Sequence, residues 1–369
     1  MVTQRLALRF AFLALVATAL VTGIAGGLVR AGVSWEALSG TSWLPRAVLG
    51  HAFLMVSAFL GTVIGLERAV ALKHPAAFTA PAASGLSGVL LVSGLADLAA
   101  WLAVLAASAF VWVNVVVVRR QRADHTVLLL VAAVAWWIGA LTHALGGMAQ
   151  GAISWWLAFL VLTIAAERLE MTRLMRRRPG AQPTLLAGLV VLLVGCGLSL
   201  FERSVVPGGL FYGAALLALS GWLFRFDIAR KTLFAHGLSR YMAVCLLLGY
   251  GWLAVAGLAW IGSSLGLPWR DAALHGLALG FVFSMILGHA PVILPALTRV
   301  KIAFSWAFYL PLALLHGSLV ARLLLSHAEP SLVRMGSALN ALAIVAFVLT
   351  VAASAIAWKS KFATERTRP

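Results

Sequence analysis

The chain has 369 residues, 62% of them hydrophobic and only 11% charged, with a mean hydropathy of +1.00. Apolar runs long enough to cross a bilayer recur along its whole length, which excludes a soluble enzyme and marks an all-α, polytopic membrane protein whose first partner is the lipid bilayer. The formal net charge of +17 would suit nucleic acid only if the basic residues gathered on a soluble domain, and no polar stretch is long enough to form one.

Twelve spans are predicted, near residues 7–29, 45–66, 80–97, 99–118, 126–145, 153–167, 183–201, 206–224, 241–262, 271–295, 303–324 and 332–357. The first has a signal-peptide flavour, with Arg5 and Arg9 ahead of an apolar run and small residues at Ala17 to Ala19. The run continues to Val29, longer than a cleaved h-region, and is read as a span. Placing both termini in the cytoplasm puts 22 of the 28 Lys and Arg on cytoplasmic segments and leaves out Arg30, Arg46, Arg203, Arg270, Arg322 and Arg334. An error of one span would scramble that alternation, so the positive-inside rule supports the count. The longest polar stretch, Glu167 to Pro183, is Arg-rich and carries Pro179 and Gly180. Residues 1–369 therefore read as one transmembrane domain of six plus six spans joined by the basic cytoplasmic loop 167–183, suited to a bacterial inner membrane. Cys196 and Cys245 each lie inside an apolar run, a pattern that supports neither a disulfide framework nor a thiolate metal cluster.

Histidines carry the chemistry. The tenth span, DAALHGLALGFVFSMILGHAPVILPAL from Asp271 to Leu297, holds His275 and His289. At an α-helical period they share a face, about 21 Å apart in height. Gly276, Gly280, Ser284 and Gly288 form a small-residue stripe on roughly the opposite face, spaced for close helix approach in lipid. His51, His143 and His275 each fall about a turn below the outer end of their spans, so three imidazoles share one level. His316 lies somewhat deeper and His289 towards the cytoplasmic side, where Pro291 and Pro295 predict a break in the helix. His74, His125, His236 and His327 fall in loops or at helix ends and read as surface residues. The spans hold almost no carboxylates, with Asp97 at an outer turn and Glu67 and Glu167 at inner helix ends. Imidazoles without carboxylates suit haem iron or copper better than a hard cation.

Twelve spans with a histidine near the outer end of span 2 and another near the outer end of span 10 resemble subunit I of the haem-copper oxidases, and the segment LHGLALGFVFSMILGH is similar to NnrS-type proteins, haem- and copper-containing membrane proteins associated with nitric oxide stress and denitrification. The resemblance implies a b-type haem with His51 and His275 as axial ligands, and an electron donor or respiratory complex as partner. Spans 6 and 7 contain no histidine, so the oxidase copper centre has no ligands here. GHAFLM lacks the second histidine and glutamate that NnrS-type proteins place beside the first. His143, His289 and His316 are the remaining candidates for a second, copper-binding site. On residue chemistry alone, spans 2 and 10 offer a porphyrin slot through Ser57, Gly61 and Gly65, walled by Phe53, Met55, Phe281, Phe283 and Met285. Arg46 and Arg270, each five residues before a candidate ligand, are placed either to meet propionates or to cap helix ends. A proton channel of the oxidase type would want intramembrane carboxylates or a polar ladder, of which Asn114 and Asn340 alone make a poor one; the competing reading is a secondary transporter of the major-facilitator type without haem, which would want Asp, Glu or Arg inside the bundle.

Overall fold

The computed structural model describes residues 2–33, 40–172, 179–298 and 300–366, so Arg173, Arg176, Arg177 and Arg178 of the basic loop, with Arg299 and Arg368, lie outside the described residues. Among the described residues every regular element is helical. Twelve helices are long and apolar enough to cross a membrane, as the hydropathy predicts. Spans 1 to 6 are Phe10–Arg30, Phe53–Leu72, Pro75–Val92, Ala96–Arg120, Asp124–Ala144 and Ala149–Met171. Spans 7 to 12 are Ala181–Leu198, Glu202–Phe226, Gly237–Ser264, Arg270–Pro295, Trp306–His327 and Leu332–Trp358. The protein is thus a multi-pass helical membrane protein. Two compact units divide the chain: Met1–Glu170 with Leu193–Gly208, and Met171–Leu192 with Gly209–Pro369.

Span 3 begins five residues earlier than its hydropathy suggests, for a capping reason. The His74 ring accepts the Ala76 N–H at 3.2 Å and Pro75 opens the first turn, so the chain turns into helix at once. The same span stops short of Gly94, which has φ +94° and packs against the Arg46 guanidinium.

In the first unit, span 2 is the centre of packing. Its stripe of Ser57, Gly61 and Gly65 is covered by span 3 and by Trp136 of span 5. Ser84 Oγ donates to the Ser57 carbonyl at 2.6 Å, Trp136 Nε1 donates to Ser57 Oγ at 3.3 Å, and a Cβ on Gly61 would lie 2.6 Å from the Trp136 ring. Pro81 lies over Gly65. Trp136, fully buried, stacks on Phe159 of span 6 with centroids 5.2 Å apart. This corrects the porphyrin slot expected there: the small residues admit a neighbouring helix and an indole instead. At the far end of the same bundle Arg68 pairs with Glu167 at 3.3 Å. His125, expected at the surface, is only 4% exposed and lies 3.8 Å from Glu170, because span 5 begins with its first turn already inside the bundle.

In the second unit, the stripe on span 10 lies against span 9 in antiparallel register. Gly276 faces Ala256, Gly280 faces Trp252, Ser284 and Met285 face Gly249, and Gly288 faces Cys245. The stripe survives although the helix is not α-helical throughout, since Gly276–Phe283 is a π-helix between the α-helical Arg270–His275 and Ser284–Thr298. A π turn takes more than four residues and an α turn fewer, so a four-residue spacing drifts oppositely in the two forms and stays straight along a mixture of both. For the same reason the α-helical phase that put His275 and His289 on one face does not run through the span. The break expected at Pro291 and Pro295 is also absent; both prolines lie inside a helix that continues to Thr298.

The tight register predicts unequal glycine tolerance. A Cβ on Gly280 would stand 2.5 Å from Trp252 Cβ, whereas Gly251 has open space around it. Gly280→Ala should lower the thermal midpoint of detergent-solubilised protein, as overpacking of about 1–3 kcal/mol would. Gly251→Ala should leave it unchanged or raise it, by up to about 1 kcal/mol of helix propensity. Equal midpoints for the two variants would contradict this packing.

Candidate functional site

The second unit holds a polar network at the N-terminal end of span 10. His275 Nδ1 donates to Asp271 Oδ1 at 2.7 Å, one helical turn away. Arg322 of span 11 grips the same carboxylate with two hydrogen bonds, Nε to Oδ2 and Nη2 to Oδ1, both 2.9 Å. The fork-on-carboxylate geometry is the strong form of such a pair. Arg322 Nη2 also lies 3.2 Å from Nδ1 and 3.4 Å from Nε2 of His275. Behind it, Arg322 Nη1 donates to Asn340 Oδ1 at 3.4 Å, and Asn340 Nδ2 donates to Ser318 Oγ at 2.6 Å. Ser318, Asn340 and Arg322 are all at most 9% exposed. The expectation of imidazoles without carboxylates therefore fails at His275. The signal was in the sequence: Asp271 sits four residues before His275, and Arg322 was one of six basic residues that the positive-inside pattern could not place. A buried guanidinium needs a counter-ion, and the carboxylate reachable from it identifies the pair.

In the first unit His51 follows the short helix Leu44–Leu49 and precedes span 2. Its ring is pressed onto span 1. Nδ1 donates to the Gly23 carbonyl at 2.7 Å, and a Cβ on Gly27 would lie 2.6 Å from His51 Cε1. With the Nδ1 proton committed to a backbone carbonyl, the ring's lone pair sits on Nε2. That is the anchoring that ligating imidazoles use.

Both candidate ligands adjoin irregular helix. His51 lies two residues before the π-helix Phe53–Leu60, and His275 directly before the π-helix Gly276–Phe283. The third π segment, Val320–Leu324, contains Arg322. Such turns are rare and gather at functional sites. Each shifts the phase of the residues before it relative to those after it. His275 reaches span 11 while its neighbour Gly276, about 100° around the helix, faces span 9.

The other predicted residues have different surroundings. His143 lies between Phe53 and Trp156, ring centroids 5.4 and 5.3 Å away. His316 accepts from Trp252 Nε1 at 2.8 Å and has Ser284 Oγ 3.4 Å from Nε2. His289 Nδ1 donates to the Met285 carbonyl at 2.7 Å on its own helix. Arg46 donates to the Val92 carbonyl at 3.0 Å, so it caps span 3 as the simpler expectation had it. Arg270 is exposed and opens the helix Arg270–His275. Asn114 Nδ2 bonds the Phe110 carbonyl in its own span, while Asn340 belongs to the Arg322 network. Cys196 and Cys245 are free and buried.

As a test of cofactor fit, His51 has the fixed tautomer of an axial ligand, while the slot expected beside it at Ser57, Gly61 and Gly65 is filled by span 3 and Trp136. His275 has the carboxylate support but meets Arg322 at Nε2. Among the described residues no group of three or more His, Cys, Asp or Glu is placed to hold a metal ion. A copper centre assembled from protein ligands needs such a group; haem iron, which takes four nitrogens from its porphyrin, does not.

Arg322 and Asp271 should be energetically coupled. Arg322→Met strips Asp271 of its buried counter-ion, and Asp271→Asn does the converse, so the double variant should recover part of the summed loss, a coupling of about 0.5–3 kcal/mol in unfolding midpoints converted to free energy. Additive losses would show that the pair is incidental. A search of curated proteins and a search of solved structures each return no match. The matching family profile covers residues 9–356, nearly the whole chain, and the protein belongs to the family described as Domain of unknown function (DUF8744).

Proposed function

We propose that this is a haem-binding integral membrane protein of a bacterial inner membrane, with His51 as an axial ligand of a b-type haem. The observation that carries the reading is the His51 clamp: an imidazole whose Nδ1 is bonded to a glycine carbonyl 2.7 Å away and whose ring lies flush on Gly27. That bond ties the ring to span 1 and fixes its tautomer, which is the support a ligating imidazole needs. The likeness to NnrS-type and haem-copper oxidase proteins names His275 as the second axial ligand and nitric oxide or respiratory-metal physiology as the setting. Arg322 would have to turn from His275 Nε2 for that ligation, leaving Asp271 to hold the ring through Nδ1. Haem held by two imidazoles would supply one-electron redox chemistry, a role that would also require an electron-donating partner. Copper, if it is bound, would take His143, His289 or His316 singly or with ligands from outside this chain.

A secondary transporter is the second reading, and one observation favours it. The second unit does contain a charge pair within its spans, Asp271–Arg322, the kind of group that couples ion movement to transport.

Absorption spectra separate the two. Protein expressed with ample haem precursor should show a Soret band and a reduced α band. His51→Ala should abolish the low-spin signal, and Gly27→Leu should weaken it by displacing the ring, while His143→Ala retains it. Colourless purified protein, or full spectra in both His51→Ala and His275→Ala, would refute the haem reading and leave the transporter.

A further inference from the structure

The second unit has a cavity of about 730 Å³ where span 8 turns into span 9, lined by Phe224, Arg225, Asp227, Arg230, Lys231, Leu233, Phe234 and Leu247. We propose that it binds an anionic phospholipid, with the phosphodiester at Arg225, Arg230 and Lys231 and an acyl chain along Phe224, Leu233 and Leu247.

Its mouth is built by a local turn. Asp227, 5% exposed, accepts the Ala229 N–H on Oδ1 at 2.8 Å and so folds the chain back after span 8. The short helix Ala229–Thr232 then presents Arg230 and Lys231 beside Arg225, the basic residue of the last turn of span 8. All three cations are exposed, and the one carboxylate in the lining is the buried Asp227 already used for the turn. Arg230 is steadied by its bond to the Phe224 carbonyl at 3.5 Å.

The walls differ from the mouth. Leu247 lies ten residues into span 9 from Gly237, about 15 Å down the helix axis. The cavity therefore carries its guanidinium and ammonium groups, with Phe224, Leu233 and Phe234, around the turn and reaches Leu247 within span 9. Phe234 is 83% exposed, an aromatic left uncovered at the depth where spans meet headgroups. A free phosphate would use the mouth and have no use for the apolar wall; a phospholipid matches both, and basic pockets between membrane helices are known to take such headgroups. The size is also that of an ordinary small-ligand site, about 300–1,000 Å³.

The test is native mass spectrometry of the full-length protein after incubation with equal amounts of phosphatidylglycerol and phosphatidylcholine. Wild type should retain one phosphatidylglycerol per chain, and the triple variant Arg225→Gln/Arg230→Gln/Lys231→Gln should lose that preference by at least roughly tenfold, since each Lys or Arg near an anionic surface contributes about fivefold. Leu247→Trp fills the slot without changing its charge and should reduce retention of either lipid at this site. A control that removes three cations elsewhere, Lys73→Gln/Arg119→Gln/Arg122→Gln, should behave as wild type. Equal loss in the control, unchanged retention in the triple variant or in Leu247→Trp, or displacement by millimolar inorganic phosphate would overturn the proposal.

Discussion

Inside hydrocarbon no water is available to satisfy a polar group, so a charge or hydrogen-bonding side chain on these spans is costly unless it finds a partner within the protein, and among the described residues few, such as the Trp155 and Trp156 indole nitrogens, are buried without one. The rest of the structure follows from that constraint. Arg322 is held by Asp271, His275 and Asn340; Arg68 by Glu167; Thr62, Ser84 and Ser57 by one another and by nearby carbonyls. Helices approach closely where side chains are small, and the glycine and serine stripes of spans 2 and 10 each lie against a neighbouring helix, Gly61 on Trp136 and Gly280 on Trp252. Burial of apolar surface cannot drive helix association in lipid as it does in water, and the stripes take over that role.

The π-helical segments add irregularity at chosen places. Adjacent positions on span 10 already point about 100° apart, so His275 turns to Arg322 while Gly276 and Gly280 face span 9, and the π-helical segment keeps the four-residue stripe straight along that neighbour. The segment after His51 accompanies the same division of labour, with His51 on span 1 and Ser57, Gly61 and Gly65 on span 3 and Trp136.

The two candidate histidines, alike in the sequence, differ in chemistry. His51 is oriented by a neutral carbonyl. His275 is embedded in a charged network that would respond to protonation, to a metal at Nε2 or to an anion near Arg322. A haem protein and an ion-coupled carrier would use such a network differently, the first as support for a ligand and the second as the coupling site itself. His51 ties the entry of span 2 to span 1 in either reading, and only the haem reading also uses its Nε2.

Sequence by itself determined the fold class and the twelve spans, because the length of an apolar run and the distribution of Lys and Arg are properties of composition that the bilayer reads directly. It also determined the stripes, which depend on spacing within one helix. What covers a stripe was left to the tertiary structure: Ser57, Gly61 and Gly65 looked equally fit for a porphyrin and for a helix, and only the packing of Trp136, Ser84 and Pro81 decided between them. The Asp271–Arg322 pair joins residues 51 positions apart on different spans, and the burial of His125 depends on where span 5 enters the bundle. Such contacts arise from which helix lies beside which, and no period or charge count along one strand of sequence contains that information.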